Sequence, residues 1–170
     1  YFSKHGLPFT SFCACEMRSP APFDDESFIA FNRLYVNTLE RWGIFKDDEN
    51  PVARSNVCPE INPPQEPVFE AFCYTIPAVD DGGKSFVMAG SGEAQEAPGD
   101  YAERIVRLGG STAEAMEEKA IFVLDTMEAR MRALGFRWAD VGTSQVYTVH
   151  NLFPFFASQI VSRGAAEIGL

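Results

Sequence analysis

The order of apolar and polar side chains predicts that the chain begins with a strand followed by a helix. Over residues 9–17 the two kinds of side chain alternate, which is typical of a half-buried strand. Over residues 28–42 apolar side chains recur every three or four positions, the period of one helical face. Asp24 or Asp25 precedes this stretch as a helix N-cap, and Gly43 follows it as a C-terminal cap.

The middle of the chain predicts extended segments interrupted by prolines. Residues 54–58 form a short extended piece, and residues 59–67 contain four prolines, which remove backbone donors and exclude regular structure. Residues 68–76 return to the strand pattern. The turn residues 80–83 then lead into residues 85–90, so that the two extended segments predict a hairpin with a long loop.

The second half of the chain predicts a long helix, a strand and a final helix. Ser111 and Glu114 have the spacing of a capping box, and the apolar stripe that follows them ends at Gly135. Residues 145–150 alternate like a strand, and Pro154 stands in the first turn of the last helix. The order strand, helix, strand, strand, strand, helix, strand, helix predicts the α/β (α+β) fold class.

Size, charge and hydropathy restrict the partners of the protein. The 170 residues, 46% of them hydrophobic, can bury a core of ordinary size in one domain or in two small units sharing a sheet. With 24 acidic and 14 basic residues the formal net charge is -10, so we expect binding neither to nucleic acid nor to an anionic membrane. No apolar run reaches the roughly 18 to 20 residues that span a bilayer, and no signal-peptide pattern opens the chain.

We therefore expect a cytoplasmic protein. The chain opens on Tyr1 and stops at Leu170, directly after a predicted helix, which suits a fragment or a processed piece of something longer.

The cysteines do not form a metal-binding pattern. Cys13 and Cys15 are predicted to share one side of the first strand, whereas Cys58 and Cys73 are isolated. With two histidines and no Cys-x-x-Cys pair, neither a metal site nor a disulfide is expected. The four cysteines are predicted to be buried, reduced thiols.

Two charged side chains in the extended middle segments have the chemistry to handle a small carboxylic acid. Arg54 offers a planar fork of donors that keeps its charge at neutral pH and suits a carboxylate. Glu70 stands mid-strand, where burying a carboxylate is costly unless it is paired or functional, and it suits water activation or proton transfer. Tyr74 is predicted on the same face, where its hydroxyl joins the site or its ring packs in the core. The alternative for Arg54 and Glu70 is a plain ion pair that joins two strands.

Several segments of the chain resemble parts of a known protein family in their order and spacing. Residues 28–35, 53–57 and 68–72 are similar, in order and spacing, to the closing half of the YjgF/RidA family of small imine and enamine deaminases. Residues 86–90, the capped helix and residues 146–147 resemble the opening half of the same unit. In this chain the segment that resembles the closing half therefore precedes the segment that resembles the opening half. Residues 1–79 resemble the closing half of one unit and residues 80–170 the opening half of a second, in tandem or as one permuted, continuous domain.

The resemblance implies an architecture and a set of site residues. The implied fold is a chorismate-mutase-like or ferredoxin-like mixed sheet with helices packed on one face. The implied assembly is a homo-oligomer such as a trimer, with pockets between neighbouring units, or a fold completed by a partner chain. After the second strand the family usually has Gly-Gln, whereas this chain has Gly90-Ser91. The implied catalytic residues are Arg54 and Glu70, and the implied substrate contacts are Asn56, Tyr74, Gly90 and Ser91.

The activity that the resemblance implies is cofactor-free hydrolysis. It releases ammonia from an imine or enamine carboxylic acid such as 2-aminoacrylate or 2-aminomuconate, as in the degradation of aromatic compounds. Arg54 would bind the substrate carboxylate and Glu70 would direct the water. A second class of function stays open, that of a non-catalytic protein that binds a small metabolite or assembles with others. Ammonia release that is lost in Arg54→Ala, with the fold intact, distinguishes the two.

Overall fold

The computed structural model describes residues 1–78 and 82–166, without the side chain of Asp25. The chain forms two compact units, Tyr1–Ala89 and Gly90–Leu170. The predicted boundary between residues 79 and 80 lies outside the described ranges. The assignment of each part to one half of a family unit stays a prediction.

The first unit is built on a three-stranded mixed sheet. Its strands are β1 (Phe12–Arg18), β2 (Ala53–Val57) and β3 (Val68–Tyr74). They are ordered β2-β1-β3, with β2 parallel and β3 antiparallel to the central β1. The parallel pair needs a long crossover connection, which the helix between β1 and β2 provides. A mixed sheet with a helical crossover confirms the predicted α/β (α+β) class.

The helix of the first unit, α1 (Asp25–Arg41), begins and ends where its capping residues predict. The carboxylate of Asp24 accepts a hydrogen bond from the backbone N–H of Ser27 at 2.8 Å, which satisfies one free donor of the first turn. Gly43 follows the helix with a φ of 74°, a left-handed conformation that favours glycine.

The core of the first unit lies between α1 and one face of the sheet. Leu39 of α1 is 1% exposed and is among its most deeply buried side chains. Half-buried side chains of α1 and of the loops pack around it. The buried members of this cluster are Phe2, Phe12, Cys15, Met17, Leu39 and Val52.

Two β-bulges change which side chains share a face of the sheet. The register between β1 and β3 shifts once at Cys13 and once at Glu70, so each is an extra residue in its strand. Cys15 belongs to the buried core cluster, whereas Cys13 is half-buried and is not a member of that cluster. The prediction that Cys13 and Cys15 share one side stays a prediction, because strict alternation assumes an unbroken ladder and Cys13 is the extra residue of the bulge.

The predicted hairpin after β3 does not form. Residues 82–90 contain no strand, and the turn residues 80 and 81 lie outside the described ranges. A strand needs a partner for its backbone N–H and C=O groups, and the described ladder of β3 is with β1. Residues 85–90 thus add no strand to the described sheet.

The second unit contains a long helix, α3 (Ala113–Leu134), preceded by a short helix, α2 (Tyr101–Arg104). The N-cap of α3 is Thr112, whose hydroxyl accepts from the N–H of Ala115 at 3.3 Å. The predicted capping box at Ser111 was wrong by one residue, since the neighbouring hydroxyl caps equally well. Gly135, at a φ of 82°, ends the helix as predicted.

The carboxyl-terminal part of the second unit is less regular than predicted. Residues 145–150, predicted as a strand, form no strand in the described structure. Helix α4 (Phe153–Phe155) has Pro154 in its first turn, as predicted. It continues as a π-helical turn, Phe156–Ile160, and a 3-10 turn, Val161–Arg163. The predicted helix contact at Ile168 lies outside the described residues. Among the described helices, none combines the length and the apolar composition that a membrane span requires.

Candidate functional site

Arg54 lies under helix α1, on the face of the sheet that carries the core. It pairs with Cys15 across the parallel strands β1 and β2. One guanidinium nitrogen, Nη2, donates to Asn32 Oδ1 at 2.8 Å. The guanidinium carbon lies 4.6 Å from the ring centroid of Tyr35 and 5.5 Å from that of Phe31. These contacts share one helical face, since residues four apart in a helix are neighbours.

The charge of Arg54 has no anionic partner in the described structure. None of the ion pairs formed by residues 1–78 and 82–166 involves Arg54. Its second terminal nitrogen, Nη1, is buried without a hydrogen-bond partner. A cation shielded from water is costly unless an anion compensates it. The alternative of a plain ion pair between Arg54 and Glu70 was therefore wrong.

Tyr35 adds a second unpaired donor next to Arg54. Its hydroxyl is buried and makes no hydrogen bond of ordinary geometry with a described residue. Burial raises the pKa of Tyr35, and the neighbouring Cys15 thiol raises it further, while the charge of Arg54 opposes the change. Burial likewise raises the pKa of Cys15. Both groups therefore keep their protons at neutral pH.

Glu70 lies elsewhere in the first unit. It is exposed and lines an open concavity of about 260 Å³. The strand β1 separates β2, which carries Arg54, from β3, which carries Glu70, and edge strands flanking a central strand are roughly 10 Å apart. The structure thus does not bring Arg54 and Glu70 together within one unit. The concavity of Glu70 is lined by Arg18, Pro59, Ile61, Asn62, Pro64 and Val68.

The other predicted contacts of the first unit have partners within the fold. The Tyr74 hydroxyl lies 2.6 Å from that of Tyr1, and its ring packs against the core cluster. The bulge at Glu70 interrupts the alternation, so the prediction that Tyr74 and Glu70 share a face was wrong. Asn56 lies two residues beyond Arg54 on β2, and its Oδ1 accepts from the hydroxyl of the fully buried Ser19 at 2.9 Å.

Gly90 and Ser91 lie in a loop of the second unit that helix α3 holds in place. Arg130 donates from Nη1 to the Gly90 carbonyl at 3.1 Å and forms an ion pair with Glu96. Lys119, 9% exposed, donates to Glu93 Oε1 at 3.1 Å. Positions 119 and 130 are three turns apart, so both cations project from one side of α3.

The loop has free space beside two of its glycines, Gly90 and Gly92. The Ser91 hydroxyl donates to the Gly92 carbonyl at 3.2 Å. A Cβ added at Gly90 or at Gly92 would meet no atom within 4 Å. This loop leaves space beside its backbone, which suits the approach of a ligand.

The sequence interpretation missed the side chains that surround Arg54. Phe31 and Tyr35 were assigned to the apolar stripe of α1, and Asn32 was given no role. A polar residue inside such a stripe is a signal, since a buried amide needs a partner. Asn32, next to the stripe position Phe31, is a signal of this kind.

The cysteine and histidine side chains form no metal centre in the described ranges. No group of three or more His, Cys, Asp or Glu side chains among them is arranged to hold a metal ion. Cys15 is buried, Cys13 and Cys58 are half-buried, and Cys73 is exposed, all as free thiols. The prediction that every thiol is buried was therefore wrong for Cys73, which lies on the exposed edge strand β3.

Comparison with known proteins gives one family and one curated relative. Residues 1–170 match the family described as 2-aminomuconate deaminase CnbZ. The chain is 46% identical over 166 residues to a 2-amino-5-chloromuconate deaminase of Comamonas testosteroni. The match covers 97% of this chain and 66% of the relative, so the chain spans about two thirds of the relative's length. No solved structure matches.

Proposed function

The chain belongs to the 2-aminomuconate deaminase CnbZ family, and we propose on this basis that it removes the amino group of a muconate-type enamine as ammonia. The relative from Comamonas testosteroni is named for a chlorinated substrate of this kind, at 46% identity. Muconates are unsaturated six-carbon dicarboxylic acids, doubly charged at neutral pH. The substrate class is therefore anionic, and its recognition requires a cation in the site.

The observation that supports this function best is the unpaired charge of Arg54. Arg54 is half-buried as a residue, the contacts of its guanidinium are the neutral side chains of Asn32, Tyr35 and Phe31, and its buried Nη1 has no acceptor. A substrate carboxylate supplies both the missing negative charge and the missing acceptor. An arginine that served the fold alone would be expected to pair with a carboxylate of the chain.

The proposed reaction is hydrolysis without a change of oxidation state. The enamine takes up a proton on carbon and becomes an imine. Water adds to the C=N carbon, a proton moves to nitrogen, and the C–N bond breaks to release ammonia. The products are one ammonia and one 2-oxo acid for each substrate and each water, so the reaction requires no electron-transfer cofactor. Glu70 is the proposed group that carries these protons.

One copy of the chain does not bring Glu70 and Arg54 together, since they lie on the two strands that flank β1. We propose that the Glu70 beside a given Arg54 belongs to another copy, in a homo-oligomer that is trimeric as the YjgF/RidA resemblance implies. Apolar side chains exposed on β3 support an interface there, since such patches mark contact surfaces. Phe69 is 54% exposed, Phe72 is 39% exposed and Val68 is 36% exposed.

The separation of Arg54 from Glu70 also favours the second candidate, a protein that binds the metabolite without turnover. An ammonia-release assay with 2-aminomuconate separates the two functions. For a deaminase we expect turnover by the wild type, with kcat/KM about a hundredfold lower in Arg54→Gln because a charge-assisted contact is lost. Arg33→Gln is the matched control, because Arg33 is an exposed arginine of α1, the helix that covers Arg54. Binding of the substrate with no ammonia release would establish the second candidate instead.

A further inference from the structure

Two buried donors without partners belong to side chains that stack on each other. They are Nη1 of Arg54 and the hydroxyl of Tyr35. The guanidinium carbon lies 4.6 Å from the centroid of the tyrosine ring, so the two side chains are in contact. Most buried polar groups in native proteins have a hydrogen-bond partner. Two missing acceptors at one contact indicate a position that a ligand fills.

The surroundings of the two donors define the chemistry of that ligand. Asn32 already accepts from Nη2. The side chains of Cys15 and Asn50 lie beside the Tyr35 hydroxyl, but neither makes a hydrogen bond of ordinary geometry with it. The Cys15 thiol carries no charge at neutral pH because burial raises its pKa. Arginine only donates, and a buried tyrosine that keeps its proton can donate as well. A ligand with one negative charge and two acceptor atoms on the same centre satisfies both groups. A carboxylate has this composition.

We propose that Tyr35 is a further substrate-binding residue, whose hydroxyl donates to one oxygen of the substrate carboxylate while Nη1 of Arg54 donates to the same carboxylate. This inference rests on the proposed function and adds a residue to its site. Asn32 is then a positioning residue, because its oxygen holds Nη2 and fixes the guanidinium plane over the ring. Both donors are shielded from water, which strengthens their attraction for an anion.

The test is Tyr35→Phe, which removes the hydroxyl and keeps the ring that stacks on Arg54. The probe is cis,cis-muconate, the unsaturated six-carbon dicarboxylate without an amino group, and its Kd is measured by titration calorimetry. We expect the Kd to rise roughly ten- to a hundredfold, the usual effect of losing a hydrogen bond to a charged group. The KM for 2-aminomuconate should rise by a similar factor with little change in kcat, the mark of lost ground-state binding.

Thermal unfolding separates this role from a structural one. A hydroxyl that is buried without a partner costs folding free energy, so its removal should leave Tm unchanged or raise it. Tyr101→Phe, at a half-exposed tyrosine of α2, is the control and should change neither the Kd nor Tm. Wild-type affinity in Tyr35→Phe would overturn the proposal. So would a loss of affinity accompanied by a lower Tm, because the hydroxyl would then serve the fold.

The same measurements distinguish this inference from the proposed function. Ammonia release by the wild type, with an unchanged KM in Tyr35→Phe, would leave the function standing and refute the role of Tyr35. Muconate binding that depends on Tyr35, without ammonia release from 2-aminomuconate, would support the carboxylate site and refute the deaminase function. A wild type that neither binds muconate nor releases ammonia would refute both.

Discussion

Replacing Asn32 by alanine should destabilise the first unit only while Arg54 is present. The bond from Arg54 Nη2 to Asn32 Oδ1 is 2.8 Å long, part-buried and charge-assisted. Hydrogen bonds to charged groups contribute about 1.5–3 kcal/mol, and no other hydrogen bond of the Asn32 side chain is present in the described residues. In Asn32→Ala the guanidinium keeps its aromatic contacts and loses its acceptor. We therefore expect a loss of about 2 kcal/mol in the free energy of unfolding.

A double-mutant cycle measures this interaction. In an Arg54→Met background the donor is absent, so Asn32→Ala should cost little, and the coupling energy should be about 2 kcal/mol. Urea unfolding is followed by the fluorescence of Trp42, which packs against the core of the first unit, in a Trp138→Phe background. Asn37→Ala, at an exposed asparagine of α1, is the control, and it should be additive with Arg54→Met.

The size of the coupling decides the outcome. Separate, non-interacting sites are additive to within about 0.5 kcal/mol, so a coupling below that value would refute the contact between Asn32 and Arg54. Asn32→Asp keeps an acceptor at the same place and should restore stability. A coupling near 2 kcal/mol together with a raised KM in Asn32→Ala would support Asn32 as the residue that positions Arg54.

Other expectations concern the core, the loop and the helix ends. Leu39→Ala should lower the free energy of unfolding by about 2–5 kcal/mol in urea, whereas the 72% exposed Leu34→Ala should change it by less than about 0.5 kcal/mol. Burial alone would raise the pKa of Glu93, but its backbone N–H and Lys119 hold that pKa below its ordinary value. The stability from this ion pair is thus present at neutral pH and is lost as the pH falls through the lowered pKa, so Tm should depend less on acid in Glu93→Gln. Equal acid dependence of Tm in both proteins would contradict this. Gly135→Ala should lower Tm by the equivalent of about 1 kcal/mol, because alanine is strained at a φ of 82°.

The ends of the helices were predictable because capping is local chemistry. Asp24 and Gly43 bound α1, and Gly135 ends α3, where their residue types indicate. A carboxylate that accepts from an N–H three residues away, or a glycine that takes a positive φ, needs no distant part of the chain. The error at α3 was one residue, between the adjacent hydroxyls of Ser111 and Thr112.

Strand pairing was not predictable from the same patterns. Residues 85–90 and 145–150 alternate as well as β1 does, yet neither forms a strand in the structure. Alternation indicates that one side of a segment is to be buried, but the hydrogen bonds of a strand depend on a partner remote in sequence. The bulges at Cys13 and Glu70 have the same origin, since each depends on the register of two strands.

The candidate site shows the same division between local and distant information. The residue type and strand position of Arg54 led to the prediction that it binds a carboxylate, and only its chemistry entered that inference. Its unpaired Nη1, its stacking on Tyr35 and its distance from Glu70 follow from the order β2-β1-β3 and from the packing of α1 on one face. Burial and hydrogen bonding are properties of neighbours that the chain brings together only on folding, so they could be learned only from the folded chain.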